Sequence, residues 1–317
     1  MKRKPFILAT RGSPLALTQT NQIAALCRAA FPEDSFEIKV IKTTGDKLQS
    51  LSISQTDPSL PRGLFTKELE EALLDGRADL AVHSLKDLPT DLPAKLILGA
   101  VGKREDARDV LIARLGKGTL SLKGLPKGAT IATASVRRQA QVEATRPDLR
   151  IVPMRGNVGT RLRKLEESED YFGLILAAAG LARLGYKFRP GGTLRGPEAP
   201  SGLRAAILDL EEMLPCVGQG AIAIEVRAGD ARLASICERL NDVKTMQCVR
   251  AERSFLRTMG GGCQSPLGAF ATIAGRKLHL RALLVEGKRI HRAEASGSPT
   301  EAITIGAGLA SMFKSMP

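Results

Sequence analysis

The chain has 317 residues, 47 basic against 33 acidic side chains (net charge +14), a pI near 9.9, and only 3% aromatic residues with Trp absent. At about 100–200 residues per domain, that length fits two or three domains. No apolar run approaches the roughly 20 residues of a membrane span, and single-strand nucleic-acid binding lacks the aromatic platforms on which bases stack, so the charge predicts a small polyanion held in a cleft.

The basic start, MKRKPFILATRGS, has its apolar stretch confined to residues 6–9, too short for a signal peptide, and a cytoplasmic protein is expected. A β-rich run at Phe6–Thr10 leads through Arg11 to Ser13, placed as a helix N-cap, with Pro14 at the first helical position of a helix over Pro14–Ala30. A strand pattern follows at 37–42. The polar segment 43–63 ends in two prolines and reads as either a lid or a disordered loop. A helix over 65–74, a strand over 79–83 and another at Leu96–Val101 come next. The stretch 113–129, rich in Gly, Lys and Leu, reads as a joint. Strand and helix then alternate: a strand at 130–134, a helix at Val136–Thr145, a strand at 150–154, a helix at 159–167 and a strand at Gly173–Ala177. Residues 185–202 are too rich in Gly and Pro for a regular element. Beyond Gly220 a strand at 221–227, helices at 231–240 and 245–259 and a small α+β tail complete the chain. This alternation predicts α/β layers with largely parallel sheets, and no fixed-period repeat is visible. Cys27, Cys216, Cys237, Cys248 and Cys263 form no CxxC pair and suit reduced thiols; with three histidines, no metal site is expected.

Three strand-to-helix junctions share one design. Arg11 and Ser13 follow the first strand, Ser135 caps a helix carrying Arg137 and Arg138 in its first turn, and Arg155 precedes a turn formed by Gly156 and Gly159 with Arg161 entering the helix. Cations in a helix's first turn oppose the macrodipole, so their repetition predicts a resident anion bridging N–H groups and guanidinium forks. Between residues 130 and 164, eight basic side chains face two acidic ones, a local surplus of +6. Lys86 and Asp87 lie just past the end of a buried strand, where ligands of open α/β sheets bind. An ionised Asp87 there can stabilise a cationic intermediate or move a proton; a surface ion pair with Lys86 is the plainer alternative. His83 reads as a satisfied core histidine. Cys263, behind three glycines, reads as an accessible thiol, activated if arginines are near.

Taken in order, RGSPLAL, RGLFTKELE, ADLAVHSLKDLPT, TASVRRQAQ, RGNVGTRL, ILAAAGLARLG, VGQGA and GGGCQSPLG resemble the porphobilinogen deaminase (hydroxymethylbilane synthase) family from Ile7 to about Leu284. The resemblance implies two periplasmic-binding-protein-like α/β domains flanking a cleft plus a small C-terminal α+β domain, divided as 1–105 with 221–241, 106–220 and 242–317. It implies a transferase that deaminates porphobilinogen and joins four units head to tail on a covalent dipyrromethane cofactor, then releases hydroxymethylbilane by hydrolysis. The thioether falls on Cys263 and the catalytic carboxylate on Asp87. Ser84, Lys86, Thr133, Ser135, Arg137, Arg138, Gly156 and Arg161 fall on cofactor-holding positions, and Arg11, Ser13, Arg155 and Arg183 on substrate positions. Arg62 and Phe65 fall on a lid. A monomer without metal, nucleic acid or membrane is implied. Two departures stand out: Pro58 occupies the place of a second basic residue before GLF, and 185–202 is longer than usual. Outside the resemblance, a binding protein for a small dicarboxylate or phosphate on the same scaffold and a nucleic-acid binder are the competing classes.

Overall fold

Helix starts set the frame. Ser13 and Ser135 are extended residues whose hydroxyls accept from Ala16 N at 3.3 Å and Arg138 N at 3.4 Å, and Asn157 does the same for Thr160 N at 2.8 Å. The computed structural model describes residues 4–48, 63–114, 120–188, 192–197, 199–262 and 265–315. Its strands are β1 (Phe6–Thr10), β2 (Phe36–Val40), β3 (Leu80–Ser84), β4 (Leu96–Val101), β5 (Asp109–Arg114), β6 (Thr130–Ala132), β7 (Arg150–Val152), β8 (Gly173–Ala177), β9 (Lys187–Phe188), β10 (Leu194–Arg195), β11 (Leu203–Ile207), β12 (Ile222–Arg227), β13 (Leu267–Ala274), β14 (Lys277–Glu286) and β15 (Arg289–Gly297). Its helices are α1 (Pro14–Ala30), α2 (Thr44–Leu48), α3 (Lys67–Leu74), α4 (Val136–Thr145), α5 (Val158–Glu167), α6 (Ala178–Arg183), α7 (Ala234–Leu240), α8 (Val243–Thr258) and α9 (Ala302–Lys314).

The chain divides into two compact units, residues 1–104 with 221–247 and residues 105–220 with 248–317. In the first, the sheet order is β2-β1-β3-β12-β4, with β1 parallel to β2 and β3, and β12 antiparallel to β3 and β4. Both faces are covered, as parallel strands require: Leu8, Leu80, Val82 and Ile224 pack with Ile23 of α1 and Ile236 of α7, while Ala9 and Ala81 pack with Leu69 and Leu73 of α3.

The second unit repeats the pattern. Its sheet order is β11-β5-β8-β6-β7, with β6 parallel to β7 and β8, and β5 antiparallel to β8 and β11. Val110, Ile112 and Leu174 pack with Leu162 of α5 on one face; Leu111, Ile131 and Ile175 pack with Val142 of α4 on the other. The three-stranded meander β13-β14-β15 forms a further core with α9, where Phe255 and Phe313 meet edge to face at 5.4 Å.

The expected largely parallel sheets are instead mixed, with two parallel and two antiparallel pairings in each five-stranded sheet and an antiparallel meander beyond them. The reason is that a strand returning from elsewhere in the chain enters each sheet in the opposite direction. The other differences are local. The 113–129 joint overlaps the end of β5, a strand the sequence reading did not assign because its apolar run VLIA is short and flanked by charged residues. The 185–202 stretch contains the short antiparallel pair β9 and β10. Only Gly156 of the expected glycine turn takes a left-handed φ (+119°), and Gly159 lies in α5. Of the segment 43–63 read as a lid or disordered loop, Thr44–Leu48 form α2, and residues 49–62 lie outside the described residues.

Gly306 of α9 packs so close to α8 that a methyl there meets the Ala251 carbonyl oxygen at 2.2 Å and Ser254 Cβ at 2.8 Å. In a free helix Gly→Ala stabilises by about 1 kcal/mol. Here the sign reverses: overpacking makes Gly306→Ala destabilising by about 1–3 kcal/mol, read as a lower urea midpoint at constant slope.

Candidate active site

In the first unit the predicted residues gather at the carboxyl edge of the parallel strands. The register pairs Ala9 with Ala81, so Arg11 after β1 and the Leu85–Asp87 turn after β3 leave the sheet on the same side. Asp87 is exposed, and its carboxylate makes no hydrogen bond or ion pair with any other described residue, an ion pair with Lys86 included. Ser84 exchanges hydrogen bonds with Gln19, at 2.9 Å from Gln19 Nε2 and 3.1 Å to Gln19 Oε1. Arg11 donates to Asp46 through Nε at 3.1 Å and Nη2 at 2.5 Å, and its guanidinium carbon lies 4.1 Å from the centroid of the Phe65 ring. Burial opposes the ionised Asp46, but Arg11 and Thr43 outweigh it and hold the carboxyl below the ordinary range. Below the edge, His83 meets the fully buried Glu225 at 2.9 Å.

The second unit also displays its residues at the carboxyl edge. Thr133 and Ser135 follow β6; Arg155 and Gly156 follow β7. Thr133 Oγ1 accepts from Ser135 N at 3.2 Å. Arg161 Nε donates to Gly156 O at 2.8 Å, which ties the helix-entry arginine to the turn in front of it. Arg183, the last residue of α6, donates to Gly220 O at 2.7 Å; burial pulls its pKa down, against the pull of Glu105.

The anion predicted at the start of α4 is in part the protein's own. Arg137 and Arg138 are 2% and 6% exposed and converge on Asp109, which is wholly buried on β5. Arg137 Nη1 lies 2.8 Å from Asp109 Oδ2, and Arg138 reaches Oδ1 through Nε at 3.1 Å and Nη2 at 2.7 Å. Gln219 Nε2 adds a third donor to Oδ1 at 2.9 Å. The spare donors go to carbonyls, Arg137 to Leu214 O at 2.7 Å and Arg138 to Ile175 O at 2.8 Å. Desolvation alone raises the Asp109 pKa; the two guanidinium groups reverse that and bring it down to about 2. Two cations on one carboxylate leave this buried cluster with one positive charge to spare, and among the described residues neither Arg137 Nε nor Asp109 Oδ2 has a hydrogen-bond partner.

Sequence reasoning did not find Asp109, Gln219 or Glu252. The wholly buried Glu252 accepts from Gly218 N and Ala271 N, both at 2.8 Å. Ala269 N donates to Pro215 O at 3.1 Å, so β13 is fastened to the 214–219 segment that Asp109 also holds through Gln219. An acid opening the apolar run VLIA of β5 was the available sign for Asp109. Cys263 and Arg62 lie outside the described residues, and among the described residues no cluster of three or more metal-ligating side chains occurs. No described helix is long and apolar enough to cross a membrane.

Residues 6–235 match the family model described as porphobilinogen deaminase, dipyromethane cofactor binding domain, and residues 246–315 match the porphobilinogen deaminase C-terminal domain. The chain belongs to the porphobilinogen deaminase family. Porphobilinogen deaminase of Syntrophomonas wolfei is 44% identical over 305 residues, covering 96% of this chain and 93% of the relative. That of Geobacillus kaustophilus is 43% identical over 300 residues (94% and 91%), and that of Bordetella parapertussis 44% over 302 residues (94% and 89%). Among solved structures, the BenM effector-binding domain with benzoate is 14% identical with a TM-score of 0.43 over 76% of this chain and 91% of that one, too distant to bear on function. The enzyme is a transferase of tetrapyrrole biosynthesis, with a dipyrromethane-binding domain, that polymerises porphobilinogen to hydroxymethylbilane.

Asp109→Asn leaves two buried guanidinium groups on a neutral amide and costs about 3–5 kcal/mol in urea unfolding. The sign with pH follows from its lowered pKa. Asp109 contributes stability above its ordinary value of 3.8, and that contribution is lost as pH falls toward about 2. The acid limb of a stability-versus-pH curve is therefore shallower in the variant; an unchanged limb removes Asp109 from this role.

Proposed function

We propose that Asp87 is the catalytic carboxylate, that Cys263 anchors the dipyrromethane through a thioether, and that the arginines of the two carboxyl edges hold carboxylates. The observation that carries this reading is the position of Asp87: exposed, its carboxylate without a hydrogen bond or ion pair among the described residues, at the end of the central strand β3 and beside the end of β1 that leads to Arg11. Deamination of porphobilinogen breaks a C–N bond, releases ammonia and leaves a methylene-pyrroleninium cation. An ionised Asp87 lowers the energy of that charge and accepts the proton that leaves the pyrrole carbon once the new C–C bond has formed.

The donor set fits a dipyrromethane that carries acetate and propionate arms. Ser84, Lys86, Thr133, Ser135, Arg137, Arg138, Gly156 and Arg161 are the residues assigned to it, and the spare positive charge on the Arg137–Asp109–Arg138 cluster supports an additional carboxylate there. When bound, the cofactor supplies the pyrrole from which the chain of four units grows. Arg11, Ser13, Arg155 and Arg183 are assigned to the incoming substrate, with Arg62 and Phe65 covering it. Of these, Ser13 also caps α1 and Phe65 stacks on Arg11. The same reading divides the chain as 1–105 with 221–241, 106–220 and 242–317, and takes the enzyme to act as a cytoplasmic monomer. The thiols of Cys27, Cys216, Cys237 and Cys248, none of them in a disulfide, suit a reducing compartment.

Intact mass and turnover test the two central assignments together. Asp87→Asn is expected to keep the cofactor mass and lose about 10²–10⁴-fold in turnover. Cys263→Ser is expected to show the bare polypeptide mass and no colour with an aldehyde reagent. Near-normal turnover in the first variant, or a retained thioether-linked mass in the second, overturns the corresponding assignment.

A further inference from the structure

Arg11 is held on two sides within the first unit. Asp46 takes it side-on through Nε and Nη2, and the Phe65 ring lies against the guanidinium plane. Both partners are themselves fixed. Asp46 Oδ2 accepts from Thr43 N at 3.2 Å and Thr43 Oγ1 at 2.8 Å. Gly45 N donates to Leu64 O at 2.8 Å, and Thr44 donates to Glu68 Oε1 from N at 2.7 Å and Oγ1 at 2.5 Å. The TTGD and GLF segments are thereby clamped together around the arginine. Glycine at 45 is demanded by the ring, since a Cβ there meets Phe65 Cδ1 and Cε1 at 2.2 Å.

A guanidinium used side-on spends its Nε proton and one Nη2 proton. Its end-on fork, Nη1 with the second Nη2 proton, is left whole, and that fork matches one carboxylate bidentately. Arg11 Nη1 has no hydrogen-bond partner among the described residues. We infer that Asp46 is a positioning residue: with Phe65, it orients Arg11 in advance so that the end-on fork receives one carboxylate of porphobilinogen. The pair is formally neutral, so the gain comes from ordering a long side chain before the substrate arrives rather than from added charge. This inference rests on the assignment of Arg11 to the substrate.

The test compares Arg11→Ala, Asp46→Ala, Phe65→Leu and the Arg11→Ala/Asp46→Ala double variant in the cofactor-loaded enzyme, each checked for an unchanged cofactor mass and thermal midpoint. Asp46→Ala is expected to raise KM by about threefold to tenfold with a smaller change in kcat. Phe65→Leu should move KM the same way and less far, and the double variant should be no worse than Arg11→Ala, as expected for residues acting as one unit. A porphobilinogen analogue with methyl in place of aminomethyl keeps both carboxylates and cannot lose ammonia; calorimetric binding of that probe should weaken by the same factor. Unchanged or tighter probe binding in Asp46→Ala overturns the inference while a weakened Arg11→Ala leaves the Arg11 assignment standing. Unchanged probe binding in Arg11→Ala overturns that assignment itself. Should Asp46→Ala fail the thermal check, Asp46→Asn carries the test: it keeps one acceptor for Arg11 and is expected to give the smaller loss.

Discussion

One buried carboxylate organises the second unit. Asp109 is fully buried, and an ionised carboxylate there is tolerable only because the Arg138 guanidinium and the Gln219 amide donate to Oδ1 and the Arg137 guanidinium forms an ion pair at Oδ2. Those partners come from separate parts of the chain: the first turn of α4 and the segment before β12. The same arginines anchor the carbonyls of Leu214 and Ile175, and Gln141 holds Leu214 from both its amide atoms. From that segment Gly218 reaches Glu252, which reaches β13. A network of this kind is all or nothing, since any missing member leaves another charge or donor unsatisfied in low dielectric.

The first unit solves a similar problem more weakly. Its sheet has the same strand order, and its fourth, antiparallel strand also carries a fully buried carboxylate, Glu225 on β12 as against Asp109 on β5. Glu225 has one imidazole for a partner, and its Oε1 has none among the described residues. Nearby Glu70 responds: burial raises its pKa, Thr66 lowers it, and the Glu225 charge raises it again. The two sheets share a topology without sharing a sequence repeat, because burial on both faces constrains apolar alternation and leaves the polar partners to differ.

What was legible in the sequence was local. Phe6–Thr10, Pro14–Ala30, Leu96–Val101, Val136–Thr145 and Gly173–Ala177 coincide with their elements, since caps, proline position and apolar runs act within a few residues. The caps at Ser13 and Ser135 follow from the same short range. Asp109 lies too far along the chain from Arg137 for any window to join them, so the helix-start arginines read as awaiting an external anion when an internal one was already present. Asn157 escaped notice beside the glycines. Asp46 was hidden inside a segment whose polarity looks like loop, although that segment closes on α3 through Glu68 and on the turn before α3 through Leu64. The ordered motif set carried the family, while the physical reading carried the charge.

The internal pairings change what the +14 means. Arg11 is matched by Asp46, Arg146 by Asp148, and Arg227 with Arg232 by Asp79 and Asp230, so much of the guanidinium content is oriented by the protein's own carboxylates. Orientation of this kind needs arginine. A lysine ammonium satisfied by a buried carboxylate has no second planar face to offer, whereas a guanidinium taken side-on keeps a complete fork for another acid. Arg11 keeps that fork, whereas Arg146 and Arg227 spend theirs on backbone carbonyls; on the proposed assignment of Arg11 to the substrate, it is fixed before a dicarboxylate ring arrives and keeps an internal partner after the ring has moved on. On the proposed reading, the Arg137–Asp109–Arg138 cluster, where two cations share one carboxylate, is a place at which an additional carboxylate is favoured over water.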